Sequence, residues 1–270
     1  LLGLFIAALC LSLSLFHLGH PERAWRALSQ GRSSWLSREG VLAIAAFVPV
    51  VIIIGLLNTQ GRELASIMFL ILGILAIVLS LATIFATAMI YRSLNTVDAW
   101  HTNWVPVVYL WLAVMSGFVF AAAFLYSATN SAGLVPRIAA VLIVGAIVLK
   151  LLYWKHIEAS IPSSTIDTAL GLQATNKVTQ FTAPHSQDNF LLKEMGFVIA
   201  RSHAAKLKKS SIVCGFGVSL ISMFPSVLQA SEFVGTTLWL SVIGMMVGIL
   251  IERWLFFAEA KHSVTLYYGR

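Results

Sequence analysis

Between residues 16 and 40 an otherwise apolar sequence holds two histidines, four arginines, two glutamates and two tryptophans: His17, His20, Glu22, Arg23, Trp25, Arg26, Arg32, Trp35, Arg38 and Glu39. Ionisable groups at the edge of a bilayer are costly to desolvate, so a cluster of them there marks a candidate site. An imidazole with an ordinary pKa of about 6.5 carries a proton either way near neutrality, which makes His17 a candidate proton donor and acceptor. Glu39 can relay a proton or pair with Arg38 or Arg23. Taken alone, His17 reads as a helix-terminal histidine that satisfies the last carbonyls, and Glu39 as a structural ion-pair partner.

The surrounding sequence sets where these groups sit. Of its 270 residues, 59% are hydrophobic and only 11% charged, with mean hydropathy +0.87; soluble domains have about 25% charged residues. Runs near 1–17, 40–57, 64–91, 106–127, 136–154, 211–229 and 235–258 approach or exceed the roughly 20 apolar residues that cross about 30 Å of hydrocarbon. Strict alternation is absent and a helix satisfies its own backbone in lipid, so the expected fold is all-α, a polytopic bundle of seven transmembrane helices forming a single membrane domain over 1–270. The run 1–17 lacks a basic n-region and a small-residue cleavage site, and reads as a span with further residues expected before it. Cys10 and Cys214 read as small apolar packing groups.

Gly19 with Pro21 is a helix-stop signal, and the next helix is expected to begin near Ser34, with Glu39 more than a turn inside. Pro49 and Pro225 fall in spans and are expected to kink them. Trp25, Trp35, Trp100 and Trp104 read singly as an interfacial aromatic belt. The connection over 155–210 is the only long one; its second part, Phe190 to Lys209, mixes apolar groups with Lys193, Arg201, Lys206, Lys208 and Lys209. That pattern suits either an interfacial helix on anionic lipid or a docking surface for a soluble subunit. Glu252 and Glu259 share a helical face, where mutual pairing and snorkelling are expected. Sixteen of the 18 Lys and Arg, Lys150 among them, are assigned to one face and only Arg62 and Arg137 to the other, which puts the crowded face in the cytoplasm. The sequence has no Walker motif, dinucleotide fingerprint, metal-protease pair or EF-hand loop, and no opposed mid-span histidines for haem.

The run His17-Leu18-Gly19-His20-Pro21-Glu22-Arg23-Ala24-Trp25-Arg26, followed by Trp35-Leu36-Ser37-Arg38-Glu39, resembles the signature of the DMSO reductase anchor subunit family. Ala88-Met89-Ile90-Tyr91-Arg92-Ser93-Leu94 with Trp100-His101, Asn189 to Gly196, and Glu252-Arg253-Trp254-Leu255-Phe256-Phe257-Ala258-Glu259 are similar to further family segments. The resemblance implies an eight-helix bacterial inner-membrane subunit with no haem or metal of its own; seven helices here fit an absent first helix. It implies partners, an iron-sulfur subunit and a molybdopterin catalytic subunit, and electron exchange with menaquinone or ubiquinone. By the same likeness His17 and Glu39 are the reactive pair of a quinone site, with Gly19, Arg23, Trp35 and Arg38 around it. His20, Trp25, Arg26, Trp100, His101, Lys193 and Arg201 are expected at the partner interface, together with the 155–210 segment. Arg38 before the acid departs from some members, and the cytoplasmic placing of the histidine connection is most like the anchors of cytoplasmic sulfite:quinone oxidoreductases.

A quinone site needs proton donors and acceptors for two ring oxygens, an apolar slot for the tail and a nearby electron relay. The rival readings are a secondary transporter, which favours broken helices and a mid-membrane polar site, and a purely structural tether.

Overall fold

The computed structural model describes residues 2–15, 20–57, 62–160, 164–171, 181–182, 197–228 and 233–268; every regular element among them is helical. Apolar runs give α1 (Leu2–Leu15), α2 (Trp35–Leu57), α3 (Arg62–Arg92), α4 (Trp104–Thr129) and α5 (Val135–Ala159). Two short basic helices follow, α6 (Val198–Ser202) and α7 (Ala204–Ser210), then a π turn (Ser211–Gly217), α8 (Val218–Leu228) and α9 (Val234–Ala258). Pro21–Gln30 and Ser263–Tyr268 are 3-10 helices. Pro49 and Pro225 both lie inside assigned helices.

Six helical stretches are long and apolar enough to cross a membrane: Trp35–Leu57, Ile67–Arg92, Trp104–Thr129, Val135–Ala159, Ala204–Leu228 and Val234–Ala258. The seventh span expected at 1–17 is not among them. The described helix there has 14 residues, and at 1.5 Å per residue it rises about 21 Å, short of a bilayer's hydrocarbon. The remaining boundaries agree with the sequence reading to within several residues, except that the sixth span begins about two turns early, at Ala204.

The protein packs as two compact units, Leu1–Tyr91 and Arg92–Arg270. In the first, the 3-10 helix Pro21–Gln30 lies against the start of α2; a Cβ on Gly40 would come within 2.8 Å of Leu28 Cδ2, so a side chain there would displace the end of that leucine. In the second, α4, α5, α8 and α9 form a bundle around Met115, Ile143, Met223, Leu238 and Met245, all fully buried. α4 ends at Asn130, whose left-handed conformation (φ 52°) lets its N–H reach Tyr126 O at 2.8 Å and turn the backbone into α5. α9 and the π turn touch backbone to backbone, since a Cβ on Gly215 would overlap Gly248 Cα. Ser211 Oγ donates to Gly248 O at 2.9 Å, and the Ser219 and Ser241 hydroxyls lie 2.9 Å apart in the same seam. Small residues and buried hydroxyls are how helices associate where hydrophobicity cannot drive them together. Cys10 and Cys214 are free and exposed on helix surfaces, not the packing groups expected.

Candidate functional site

The acid of the first cluster is held from one side by a neighbouring helix. Ser34 Oγ accepts a long hydrogen bond (3.4 Å) from Ser37 N–H at the start of α2. Trp35 and Glu39, four residues apart, share one face of that helix, and the face meets α3. Thr87 Oγ1 donates to Glu39 Oε1 at 2.7 Å, and the Trp35 and Phe85 rings meet edge to face at 6.0 Å. The same hydroxyl lies 3.0 Å from Thr83 O, but its single proton favours the charged acceptor. Thr87 escaped the sequence reading, since a threonine four residues past Thr83 in an apolar helix gives no sign that it faces an acid.

The ion pairs considered for Glu39 are not made among the described residues. Arg38 donates from Nε to Gly31 O (2.7 Å) and from a terminal nitrogen to Arg32 O (2.8 Å), with its guanidinium 4.3 Å over the Trp35 ring. Arg23 lies 3.9 Å from Glu22, which His20 Nδ1 also approaches at 2.9 Å. Glu39 is therefore a half-buried carboxylate held by a neutral hydroxyl. Ser37 is buried, and its Oγ has no hydrogen-bond partner among the described residues. Trp25 and Arg26 stand exposed on the 3-10 helix, with the Arg26 guanidinium 5.5 Å from the indole centroid. His17, Gly19 and Lys193 lie outside the described residues.

The second unit carries a charge cluster that the sequence reading misplaced. Lys150, assigned there to a span end on the crowded face, is 1% exposed inside the bundle, and its Nζ lies 2.5 Å from Glu252 Oε1. Arg253 closes on both oxygens of the same carboxylate, at 2.5 and 2.7 Å. Aromatic faces complete the enclosure: Lys150 lies over Tyr153 and Trp154, and Arg253 over Tyr109. Mutual pairing of Glu252 was expected; full burial was not. The signal was present in Val148-Leu149-Lys150-Leu151-Leu152, a lysine with two apolar neighbours on each side.

Around this cluster the 93–103 connection is sewn to the bundle. Trp100 is buried, not part of an interfacial belt, and its indole N–H donates to Phe256 O at 2.9 Å. Tyr153 Oη donates to Ala99 O, and Ser263 N–H to Thr96 O. His101 remains exposed, with Nδ1 2.6 Å from Arg92 O. Arg201 donates to Ala258 O (2.8 Å) and Ala260 O (2.9 Å), clamping α6 to the carbonyl end of α9; partial burial lowers its pKa, but a guanidinium stays charged. A cavity of about 690 Å³ opens nearby, with Tyr153, Trp154 and Phe256 in its wall and Asp98, Glu158 and Lys208 among its polar lining. Among the described residues no group of three or more His, Cys, Asp or Glu is placed to hold a metal ion.

The family model for the DMSO reductase anchor subunit (DmsC) matches residues 2–269. This chain belongs to the DMSO reductase anchor subunit family. A sulfite dehydrogenase subunit of Allochromatium vinosum is 33% identical over 99% of this anchor-family protein and 84% of its own length. A component of the anaerobic dimethyl sulfoxide reductase of Escherichia coli strain K12 is 29% identical over 38% of this protein and 36% of its own length. No solved structure matches. Two stretches that carried the anchor-subunit resemblance, Trp100-His101 and Glu252 to Glu259, meet in the second unit through the Trp100 to Phe256 hydrogen bond.

Proposed function

We propose that this protein is the membrane anchor and quinone-reacting subunit of a molybdopterin and iron-sulfur oxidoreductase in the bacterial inner membrane. Quinone binds beside the start of α2, and electrons pass between it and an iron-sulfur subunit on the cytoplasmic face. The observation that carries the reading is the setting of Glu39: a half-buried carboxyl group with a hydroxyl partner and no cation paired with it among the described residues. Ser37 fits the same use, since a buried hydroxyl without a partner among the described residues suits an occupant with polar oxygens.

Quinone supplies the redox chemistry, taking up two electrons and two protons to become quinol. His17 hydrogen-bonds one ring oxygen and exchanges its proton; Glu39 relays a proton to the site; Gly19, Arg23, Trp35 and Arg38 line it. Arg38, locked over Trp35, shapes the wall without neutralising the acid. His20, Trp25, Arg26, Trp100, His101, Lys193 and Arg201, with the 155–210 segment, contact the partner, and Trp100 and Arg201 act by fixing the backbone of the second unit around them. The sulfite dehydrogenase relative, matched over nearly the whole sequence, favours sulfite as the substrate of the catalytic partner, with electrons flowing to quinone. The shorter match to a dimethyl sulfoxide reductase component keeps S-oxide reduction as the second reading.

The test uses the assembled complex with His17→Ala and Glu39→Gln. Each variant is expected to copurify with iron-sulfur and molybdenum signals and to keep turnover with a soluble electron acceptor, while quinone-linked turnover is lost. Unchanged quinone-linked turnover would leave the protein a structural tether.

A further inference from the structure

Where α5 ends and the span formed by α7, the π turn and α8 begins, a groove of about 390 Å³ lies outside both the bundle core and the proposed quinone corner. Lys155, Lys208 and Lys209 line it, with Trp154 in its wall and Leu151 and Val213 below. Lys208 is already engaged, 3.1 Å from Glu158 Oε1 and 3.0 Å from Glu259 Oε1. Neither Lys155 nor Lys209 has a carboxylate within ion-pair distance among the described residues. Counting Glu259, which pairs with Lys208 from outside the groove, three ammonium groups meet two carboxylates, leaving one net positive charge among the described residues.

The other half of the observation is apolar. Leu151 and Val213 are 51% and 54% exposed. Val144, Val148, Leu151 and Lys155 follow one another at helical spacing on α5, all exposed, so an apolar stripe runs down the helix from the lysine that heads it. An acidic protein partner would account for the charge but leave the stripe bare. A zwitterionic lipid would cover the stripe but bring no net charge.

We propose that this groove binds an anionic glycerophospholipid carrying one net negative charge. Its phosphate oxygens accept from Lys155 and Lys209, and an acyl tail lies along Leu151 and the valines below it. Lys208 is the fixed post of the site, holding Glu158 and Glu259 so that neither carboxylate neutralises the two free ammonium groups.

The assembled protein, released in mild detergent and offered equal amounts of phosphatidylglycerol and phosphatidylcholine, is examined by native mass spectrometry for retained lipid. The wild type is expected to retain phosphatidylglycerol preferentially. Lys155→Gln with Lys209→Gln lowers that preference about tenfold in protein whose helical content and elution match wild type. Lys206→Gln, an exposed lysine on the same short helix but outside the groove, leaves it unchanged. The proposal is overturned if the double variant keeps its preference, if Lys206→Gln lowers it as much, or if millimolar inorganic phosphate displaces the lipid, which would mark a free-anion site.

Discussion

Thr87 and Lys150 show how single side chains decide the state of an acid in this molecule. The Thr87 hydroxyl is the donor that Glu39 has among the described residues, and a hydrogen bond to a charged group contributes about 1.5–3 kcal/mol. Thr87→Val keeps the shape of the side chain and deletes the donor. Quinone-linked turnover is expected to fall roughly tenfold, with the soluble-acceptor rate of the complex unchanged and Thr87→Ser restoring most of the loss. A Ser variant as slow as Val would mean that Thr87 acts by packing alone. Lys150 and Glu252 obey the opposite logic, because each is buried and the Glu252 carboxylate is the counter-charge of both Lys150 and Arg253. Glu252→Gln strands the Lys150 ammonium and the Arg253 guanidinium and is expected to destabilise the purified protein by about 3–5 kcal/mol, while Lys150→Met with Glu252→Leu removes the buried ammonium but leaves Arg253 without its carboxylate, and recovers only part of that. Thermal unfolding in detergent reads both; equal losses for the single and double variants would rule the pairing out as the cause.

At the level of helices, what the sequence discloses is length and apolarity. All six spans were visible as apolar runs, and Asn130 and Gly133 as the turn between α4 and α5. The partners of each helix were not visible, because helices apolar on every side carry no stripe saying which face is inward. Lys150 was therefore placed at a span end and Thr87 was not noticed, while Glu39, with charged neighbours before it, stood out as a candidate. The seam between the π turn and α9 rests on glycine for the same reason: shape, not polarity, brings the two together. Gly215→Val puts a side chain where Gly248 Cα already sits. The variant is expected to be poorly recovered as a monodisperse species by size exclusion in detergent, whereas Gly117→Val, whose site has nothing within 4 Å, is recovered normally.

For the whole molecule, orientation determines what electron transfer does to the membrane. Lys150 and Arg253 belong to the buried cluster, so they leave the loop count, yet 14 of the remaining 16 Lys and Arg belong to connections that the sequence assigns to the side of the α2 start. If the six spans alternate across the bilayer, the positive-inside rule keeps that face in the cytoplasm, the orientation proposed for the quinone corner. Oxidation of sulfite to sulfate by water releases two protons with its two electrons, and reduction of quinone to quinol takes up two of each. If the proposed site and the partner open to the same compartment, release and uptake cancel there, and no charge crosses the bilayer per turnover. Sealed vesicles holding the complex and quinone, with no other pump, are therefore expected to oxidise sulfite without developing a potential across the membrane, as read by a voltage-sensitive dye. A potential that grows with turnover would require either protons drawn from the opposite face or a quinone site on it, and would move the reactive corner away from Glu39.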